Sequence, residues 1–325
     1  MRVPLFLLAA DNKPLYMQYL GETIALVVSF SWTLGALFAE VASKRLSPIV
    51  LNVVRMALAV VMLMVLLFCF TGHVMPQYAD GDTWMWLLLS GLVGYIFGDT
   101  CLFNAYVVIG SRFGQLFMTL APLTAAITGF LFLNEHMSLQ SIIGMLITLV
   151  GIAMSILNKG EHSKVAFKLP LKGVLFGIGA GIGQGGGLVL SKIGINHYAS
   201  CIPSDAVTSI SMIPFAATLM RSFAGIVGFI IILRFRKEYH ELHKRLSDKK
   251  GMWNALGMTI FGPFLGVSLS LMAVQYTSAG IASTIMALTP VIILLPSRFL
   301  FKQKITTMEV LGAFISVAGV SLFFL

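Results

Sequence analysis

Apolar residues run along this chain in blocks of some twenty residues, each closed by a short polar break such as SKRLSP, GSR, NEHMS or KQKITT. A helix rises about 1.5 Å per residue and needs roughly 20 apolar residues to cross about 30 Å of hydrocarbon, so each block has the length of a membrane span. Ten blocks meet or nearly meet that length. They predict helices over residues 22–43, 49–71, 84–109, 113–133, 140–158, 172–192, 212–234, 252–277, 281–301 and 308–325. Two breaks are longer, 158–170 between the fifth and sixth helices and 234–251 before the eighth. The pattern predicts an all-α membrane protein with an arm over 1–16, a five-helix unit over 17–158, a linker over 159–170 and a second five-helix unit over 171–325.

The two units repeat one another. Pro122 in MTLAPLTAAI and Pro290 in MALTPVIILL are 168 residues apart, and the same shift carries Gly94 onto Gly262, Gly98 onto Gly266, Gly144 onto Gly312 and Gly151 onto Gly319. The first helices align at a shift of 152, which carries Gly21 onto Gly173 and Trp32 onto Gln184, and Arg55 stands opposite Arg221. Five is an odd number, so the second unit must enter the membrane upside down relative to the first. Ten transmembrane helices as two inverted five-helix repeats is the expected architecture. Such repeats leave a cavity near the bilayer midplane, and rocking one against the other exposes it to each side in turn.

Composition agrees with a membrane solvent. Hydrophobic residues make up 58% of the 325 and charged residues 11%, with a mean hydropathy of +0.91. The net charge of +9 sits almost wholly in the breaks, where it bears on orientation and lipid headgroups rather than on nucleic acid. Cys69, Cys101 and Cys201 show no disulfide or metal-ligand pattern. The six histidines fall in loops or at helix ends with no metal-ligand spacing on one helix face. Neither a metal nor a cofactor is expected.

Ionisable groups inside the spans are the informative ones, because each costs a few kcal/mol at bilayer depth unless it faces protein or water. Asp99 lies near the middle of the third helix, and its counterpart in the second unit is Val267. A carboxylate on one repeat alone suits a proton or cation site, a contact to a basic solute group, or an ion pair with Arg55 or Arg221. The two arginines offer guanidinium forks to an anion from symmetric places, or bind carbonyls of neighbouring helices. Arg298 is read as snorkelling, Glu40 and Lys44 as an i, i+4 pair, and Glu22 as complementing the dipole at its helix start. Trp32 and Gln184 at equivalent points, Tyr95 and Asn104 flanking Asp99, and Gln275 with Tyr276 late in the eighth helix complete the candidate solute-binding set. Together they predict a cavity wall built from helices one, three, six and eight.

The run GIGAGIGQGGG over 177–187 lacks the Gly-Lys-Ser/Thr ending of a phosphate loop and follows no strand. Positions 177, 181 and 185 form one stripe of small residues, and 179, 183 and 187 an adjacent one, which predicts close approach of neighbouring helices.

Three passages carry a family resemblance: SKRLSPIVLNVVRMALAV, the run from GDTCLFNAYVVIGSRFGQLFMTLAPLTAAI to MLITLVGIAMSIL, and AVQYTSAGIASTIMALTPVIILL with LGAFISVAGVSLFFL. They resemble the EamA-type transporters of the drug/metabolite transporter superfamily, over essentially residues 17–325. The resemblance implies a multi-pass protein of the inner or plasma membrane with ten helices in two repeats. It also implies secondary transport, more often export, of amino acids, related metabolites or drugs. Its partners would be a small-molecule solute, the bilayer and protons as coupling ion, with a monomer or homodimer as the assembly. The family's usual acidic residue after the fourth helix is Glu135 here, and its counterpart is Gln303. A membrane-embedded enzyme acting on a lipid or small metabolite is the alternative class, although no Ser, His and acid set converges; no filter motif or pore ring suggests a channel.

Charge predicts orientation. Alternate breaks collect Lys44, Arg45, Arg112, the linker lysines, the basic run of 234–251, Lys302 and Lys304 on one side; the other holds Arg2, Lys13 and Lys192. The positive-inside bias puts the first group in the cytoplasm and both termini outside, opposite to the usual drawing of the family.

Overall fold

The computed structural model describes residues 19–102, 104–105, 108–109, 117–157, 170–236, 239, 245–292, 296 and 307–324, and every regular element among them is a helix. The first unit contributes α1 (Leu20–Leu46), α2 (Pro48–Thr71), α3 (Gly81–Leu102), α4 (Leu120–Leu133) and α5 (Leu139–Leu157). The second contributes α6 (Leu171–Cys201), α7 (Ile213–Phe235), α8 (Lys249–Tyr276), α9 (Ala279–Met286) and α10 (Thr307–Ser321). Six of these, α1, α2, α3, α6, α7 and α8, are long and apolar enough to cross a membrane, while α4, α5 and α10 are shorter apolar helices. Two departures from the hydropathy pattern stand out: the expected helix 281–301 is interrupted at 287–288, where α9 ends, and α6 runs nine residues beyond the expected 192. The pattern breaks at Lys192, but that lysine is buried and paired with Glu135, so its charge does not end the helix.

Helix ends follow the sequence. One residue, Ser47 at φ 66°, joins α1 to α2, whose first position is Pro48, a place that needs no amide hydrogen. α3 and α8 each start on an aspartate that caps them: Thr83 N donates to Asp80 Oδ1 at 2.9 Å, and Gly251 N to Asp248 Oδ1 at 3.0 Å. Each cap also reaches another helix end, Asp80 to His197 at 2.9 Å and Asp248 to Arg45 at 2.6 Å. Hydrogen bonds from Thr83 and His197 hold the Asp80 carboxyl below the usual carboxylate range; those from Gly251 and Arg45 do the same for Asp248. Both aspartates, and the residues their caps close on, are 168 residues apart.

The same shift relates two widened turns. α3 becomes a π-helix over Leu92–Asp99, and α8 over Ile260–Val267. Pro263 lies inside the second, where the looser i→i+5 bonding accommodates a residue without an amide hydrogen. The first contains Gly94 and Gly98, which meet the glycine run of α6. A Cβ added at Gly187 would lie 2.8 Å from Gly94 Cα, and one at Gly183 would lie 2.7 Å from Gly98 Cα. The other stripe, Gly177, Gly181 and Gly185, meets Phe117, Leu120 and Ala121 on and before α4. The glycine run is thus a two-sided packing surface, one stripe for each neighbour.

Packing crosses between the units throughout. α3 lies on α6, α8 on α1, and α5 on α10. At the last contact Gly144 faces Gly319 and Gly151 faces Gly312, while Thr148 and Ser316 exchange hydroxyl-to-carbonyl contacts of 3.4 Å. Residues related by the 168 shift trade places there. At the first helices, Gly21 meets Thr277 and Gly173 meets Ile109, again related by shifts of 152 and 168.

Candidate functional site

Between the units lies a cavity of about 280 Å³. Its wall is mostly apolar, including Leu102, Met118, Pro122, Leu188, Met258, Pro263, Val267 and Met286, and its charged groups gather in one place, Arg55, Asp99 and Arg221 with Tyr95 and Gln184, while Trp32 also lines it. Six of the nine residues expected from the sequence line it. The helices are more numerous than expected, since α2, α4, α7 and α9 contribute as well as α1, α3, α6 and α8.

The first π-helix sets the chemistry. It carries Tyr95 and Asp99, both buried, and brings its own glycines against α6 so that Gln184 reaches over them. Gln184 Nε2 donates to Asp99 Oδ1 at 2.7 Å and to Gly94 O at 3.1 Å. Arg55 NH2 donates to the other oxygen, Oδ2, as an ion pair. Both carboxylate oxygens are therefore engaged, and of the two arginines weighed as partners Asp99 takes Arg55.

Arg221 is different. It is 5% exposed, and its guanidinium carbon stands 5.0 Å from the centre of the Tyr95 ring. The Nε atoms of both arginines lack a hydrogen-bond partner, but among the described residues no carboxylate pairs with Arg221, whereas Asp99 pairs with Arg55. A desolvated cation over an aromatic face gains about 2 kcal/mol. Removing an ion from water costs several kcal/mol, so the ring alone leaves a deficit.

Three expected residues stand away from the cavity. Asn104 turns back on its own helix and donates to Thr100 O at 2.7 Å. Gln275 is half-buried and Tyr276 exposed, at the end of α8 beyond Ser270, the last lining residue of that helix. A polar side chain at depth is often satisfied by its own helix, which residue type alone does not reveal. The side chains of Glu40 and Lys44, together with Arg298 and Gln303, lie outside the described residues.

Comparison with known proteins fixes the family. The profile of the EamA-like transporter family matches residues 19–157 and 171–325. The chain belongs to the EamA-like transporter family. Relatives in Bacillus subtilis (strain 168) include the uncharacterized transporter YoaV, 27% identical over 135 residues. That match spans 42% of this chain and a little under half of YoaV, 46%. The uncharacterized transporter YetK is 23% identical over 299 residues, 90% of this chain and 82% of YetK. A crystal structure 13% identical covers 94% of this chain and 96% of that one at a TM-score of 0.70, a likeness of fold. The protein is a multi-pass membrane transporter.

In this EamA-like transporter one end of the cavity is closed. Lys192 pairs with Glu135 and donates to Thr277 O at 2.7 Å; Ala279 N donates to Glu135 Oε2 at 2.9 Å, and Thr277 Oγ1 to Glu22 at 2.5 Å. Four segments distant in sequence meet there, and Ala25, Val28, Val189, Ala273, Ala282 and Ile285 are buried together in one apolar cluster next to them. The sequence places Glu22 at a helix start as a dipole complement, Glu135 after the fourth helix and Lys192 among the few charges of the other side, with nothing to join them. None has a neighbour in sequence that would have announced the network. Lining towards the opposite end continues through Ala39, Met118, Thr119, Met258 and Thr289, on the side where α1 ends and α8 begins.

The His197 and Asp80 side chains, with Cys201, bring their ligand atoms within 4.8 Å of one another. Both Asp80 oxygens are engaged, one by the Thr83 amide and one by His197. The equivalent place in the second unit holds Asp248 with Arg45, so the group is read as a capping ion pair.

Proposed function

We propose that this protein is a secondary transporter that exports small polar or amphipathic organic solutes, such as amino acids, related metabolites or drugs, by alternating access. Its two units act as inverted five-helix repeats. The observation that carries the reading is a mostly apolar cavity at the contact between the units, with convergent polar groups and one sealed end. Paired π-helices, paired aspartate caps and the exchanged glycines of α5 and α10, all related by one shift, support the repeat. Rocking about that symmetric contact would open the Glu135–Lys192 end and close the other. Arg45, where α1 ends, and Lys249 and Lys250, where α8 begins, lie at the end the cavity opens towards; the positive-inside bias makes this the cytoplasmic side and the arrangement inward-facing.

Trp32, Tyr95, Arg55, Asp99, Gln184 and Arg221 are the proposed solute-binding residues. Counterflow by the full chain in proteoliposomes, with a panel of amino acids, nucleosides and cationic dyes, tests the reading. The expected result is exchange of at least one labelled solute, slowed by Gln184→Leu and Trp32→Ala in proportion to their loss of ligand-induced thermal stabilisation. Folded protein that moves none of the panel but modifies lipid would replace the transporter with the enzyme.

A further inference from the structure

The repeat duplicates the cavity's arginine and omits its acid. Arg55 on α2 reaches Asp99 at the end of the first π-helix. Arg221 on α7 is its counterpart, and the end of the second π-helix is Val267. Both Arg221 and Val267 line the cavity. The second unit therefore presents a buried guanidinium at a site where the first unit holds a completed ion pair.

We infer that the transported solute carries one negative charge, a carboxylate on an apolar body, and that its carboxylate on Arg221 takes the part that Asp99 plays for Arg55. This rests on the transporter reading above. Four observations converge on the class. Arg221 is nineteen-twentieths buried, it has the Tyr95 ring 5.0 Å away and no carboxylate partner among the described residues, and a guanidinium accepts a planar carboxylate well. Asp99 has both oxygens occupied, so an ammonium group finds no free carboxylate. Arg55 and Asp99 cancel, which leaves a single positive charge, matched by a monoanion and exceeded by a dianion. The remaining wall, with Leu188, Met258 and Met286, suits a small apolar body, and about 280 Å³ is near the lower end of ligand-pocket sizes.

The test uses the full chain in phosphatidylcholine vesicles and three probes of one skeleton: 3-phenylpropionate, 3-phenylpropanamide and 3-phenylpropylamine. The carboxylate is expected to raise the melting temperature, to drive counterflow, and to bind at least tenfold more tightly than the amide or amine. Phenyl phosphate, largely a dianion at neutral pH, should bind more weakly than the carboxylate. Two variants tie the preference to the site. Arg221→Gln should cost the carboxylate tenfold or more in affinity. Val267→Asp should supply the missing partner internally, keeping or raising the melting temperature of the free protein while abolishing the carboxylate's effect; it serves also if Arg221→Gln fails to fold.

Preference for the amine or amide would overturn the charge assignment and leave a working transporter. Undiminished carboxylate binding in folded Val267→Asp would overturn the Arg221 site in the same way. Stabilisation by added phosphatidylglycerol and not by the carboxylate would make a lipid anion the occupant of Arg221 and overturn a soluble solute there. If the broader panel of solutes is also not moved by folded protein, the transporter reading fails with it.

Discussion

The widened turns at Leu92–Asp99 and Ile260–Val267 occupy the same place in the two units, yet one carries Tyr95 and Asp99 where the other carries Pro263 and Val267. The helices that face them differ too. Gln184 on α6 opposes the first, and Trp32 on α1, whose indole meets Gly266, opposes the second. The backbone device is common to both, because in each case a small residue on the facing helix lets the two main chains approach: Gly187 to Gly94, and Gly35 to Gly262. Side-chain chemistry is free to diverge on that scaffold. The first unit closes an ion pair between Arg55 and Asp99, while the second keeps Arg221 with no carboxylate among the described residues. A π-helix presents its side chains on a wider turn than an α-helix, so both segments aim residues into the cavity that regular spacing would send elsewhere.

Giving the first unit the second unit's side chain should produce the largest effect. Asp99→Val leaves Arg55 buried with no carboxylate, and breaking a buried pair from one side costs about 3–5 kcal/mol. Melting in detergent should fall steeply, or folded yield should collapse. Adding Arg55→Met removes the orphaned charge and is expected to recover most of the loss. No recovery in the double variant would mean that Asp99 acts through something other than Arg55. Asp99→Asn asks a separate question, since the amide keeps a polar partner for Gln184 but cannot titrate. This variant also leaves Arg55 without a carboxylate, so it is read only where it folds; if protons drive transport through Asp99, accumulation against a gradient should then be lost with counterflow retained. Unchanged accumulation would remove Asp99 from coupling.

A medium effect should separate the two backbone contacts. At Gly187 an alanine methyl would meet Gly94 Cα at 2.8 Å, main chain against main chain, and overpacking of this kind costs about 1–3 kcal/mol. Gly35→Ala, at the equivalent point of the second unit, meets its nearest atom, Gly262 N, at 3.4 Å and should be close to neutral. Gly186→Ala, with nothing nearer than Val93 at 3.8 Å, should gain up to about 1 kcal/mol from helix propensity. Equal losses in Gly187→Ala and Gly35→Ala would show that the two contacts are equally tight.

These particulars mark what the sequence could and could not reveal. Six long spans and the two glycine stripes were legible because apolar run length and small-residue spacing survive without knowledge of partners, and the shift of 168 recurs in the π-helices and the aspartate caps. Asp99 was legible because a lone carboxylate in a span must face protein or water. The π-helices had no such signal; Pro263 hints at one, but Leu92–Asp99 contains nothing that distinguishes it from regular helix. Glu22, Glu135, Lys192 and Thr277 come from four distant segments, and only the fold brings them together. Asn104 shows the opposite case: polarity at depth demands a partner but does not say whether that partner is a solute or, as here, the carbonyl of Thr100 one turn back.

The smallest effect should come from the two aspartate caps, which compare the units at their surfaces. Asp80 and Asp248 each accept a hydrogen bond from the backbone amide three residues on, and each has a charged or chargeable partner, His197 or Arg45. Both carboxyls are held below their ordinary value of 3.8. A lowered folded-state value means that their contribution is fully present above the ordinary carboxylate range and is lost as pH falls through and below it. Asparagine also caps helices well, so Asp80→Asn and Asp248→Asn should keep the cap and lose only the charge. At pH 7 each variant should melt slightly below the parent, by an amount that shrinks in high salt because the pairs are solvent-exposed. Towards pH 3 the parent should begin to fall towards the variants, since loss starts below the ordinary value and is complete only below the lowered one. Melting curves at pH 7, 5 and 3, at low and high salt, measure both trends. A gap between parent and variant that stays constant across pH would show that the aspartates matter for packing around His197 and Arg45 rather than for their charge.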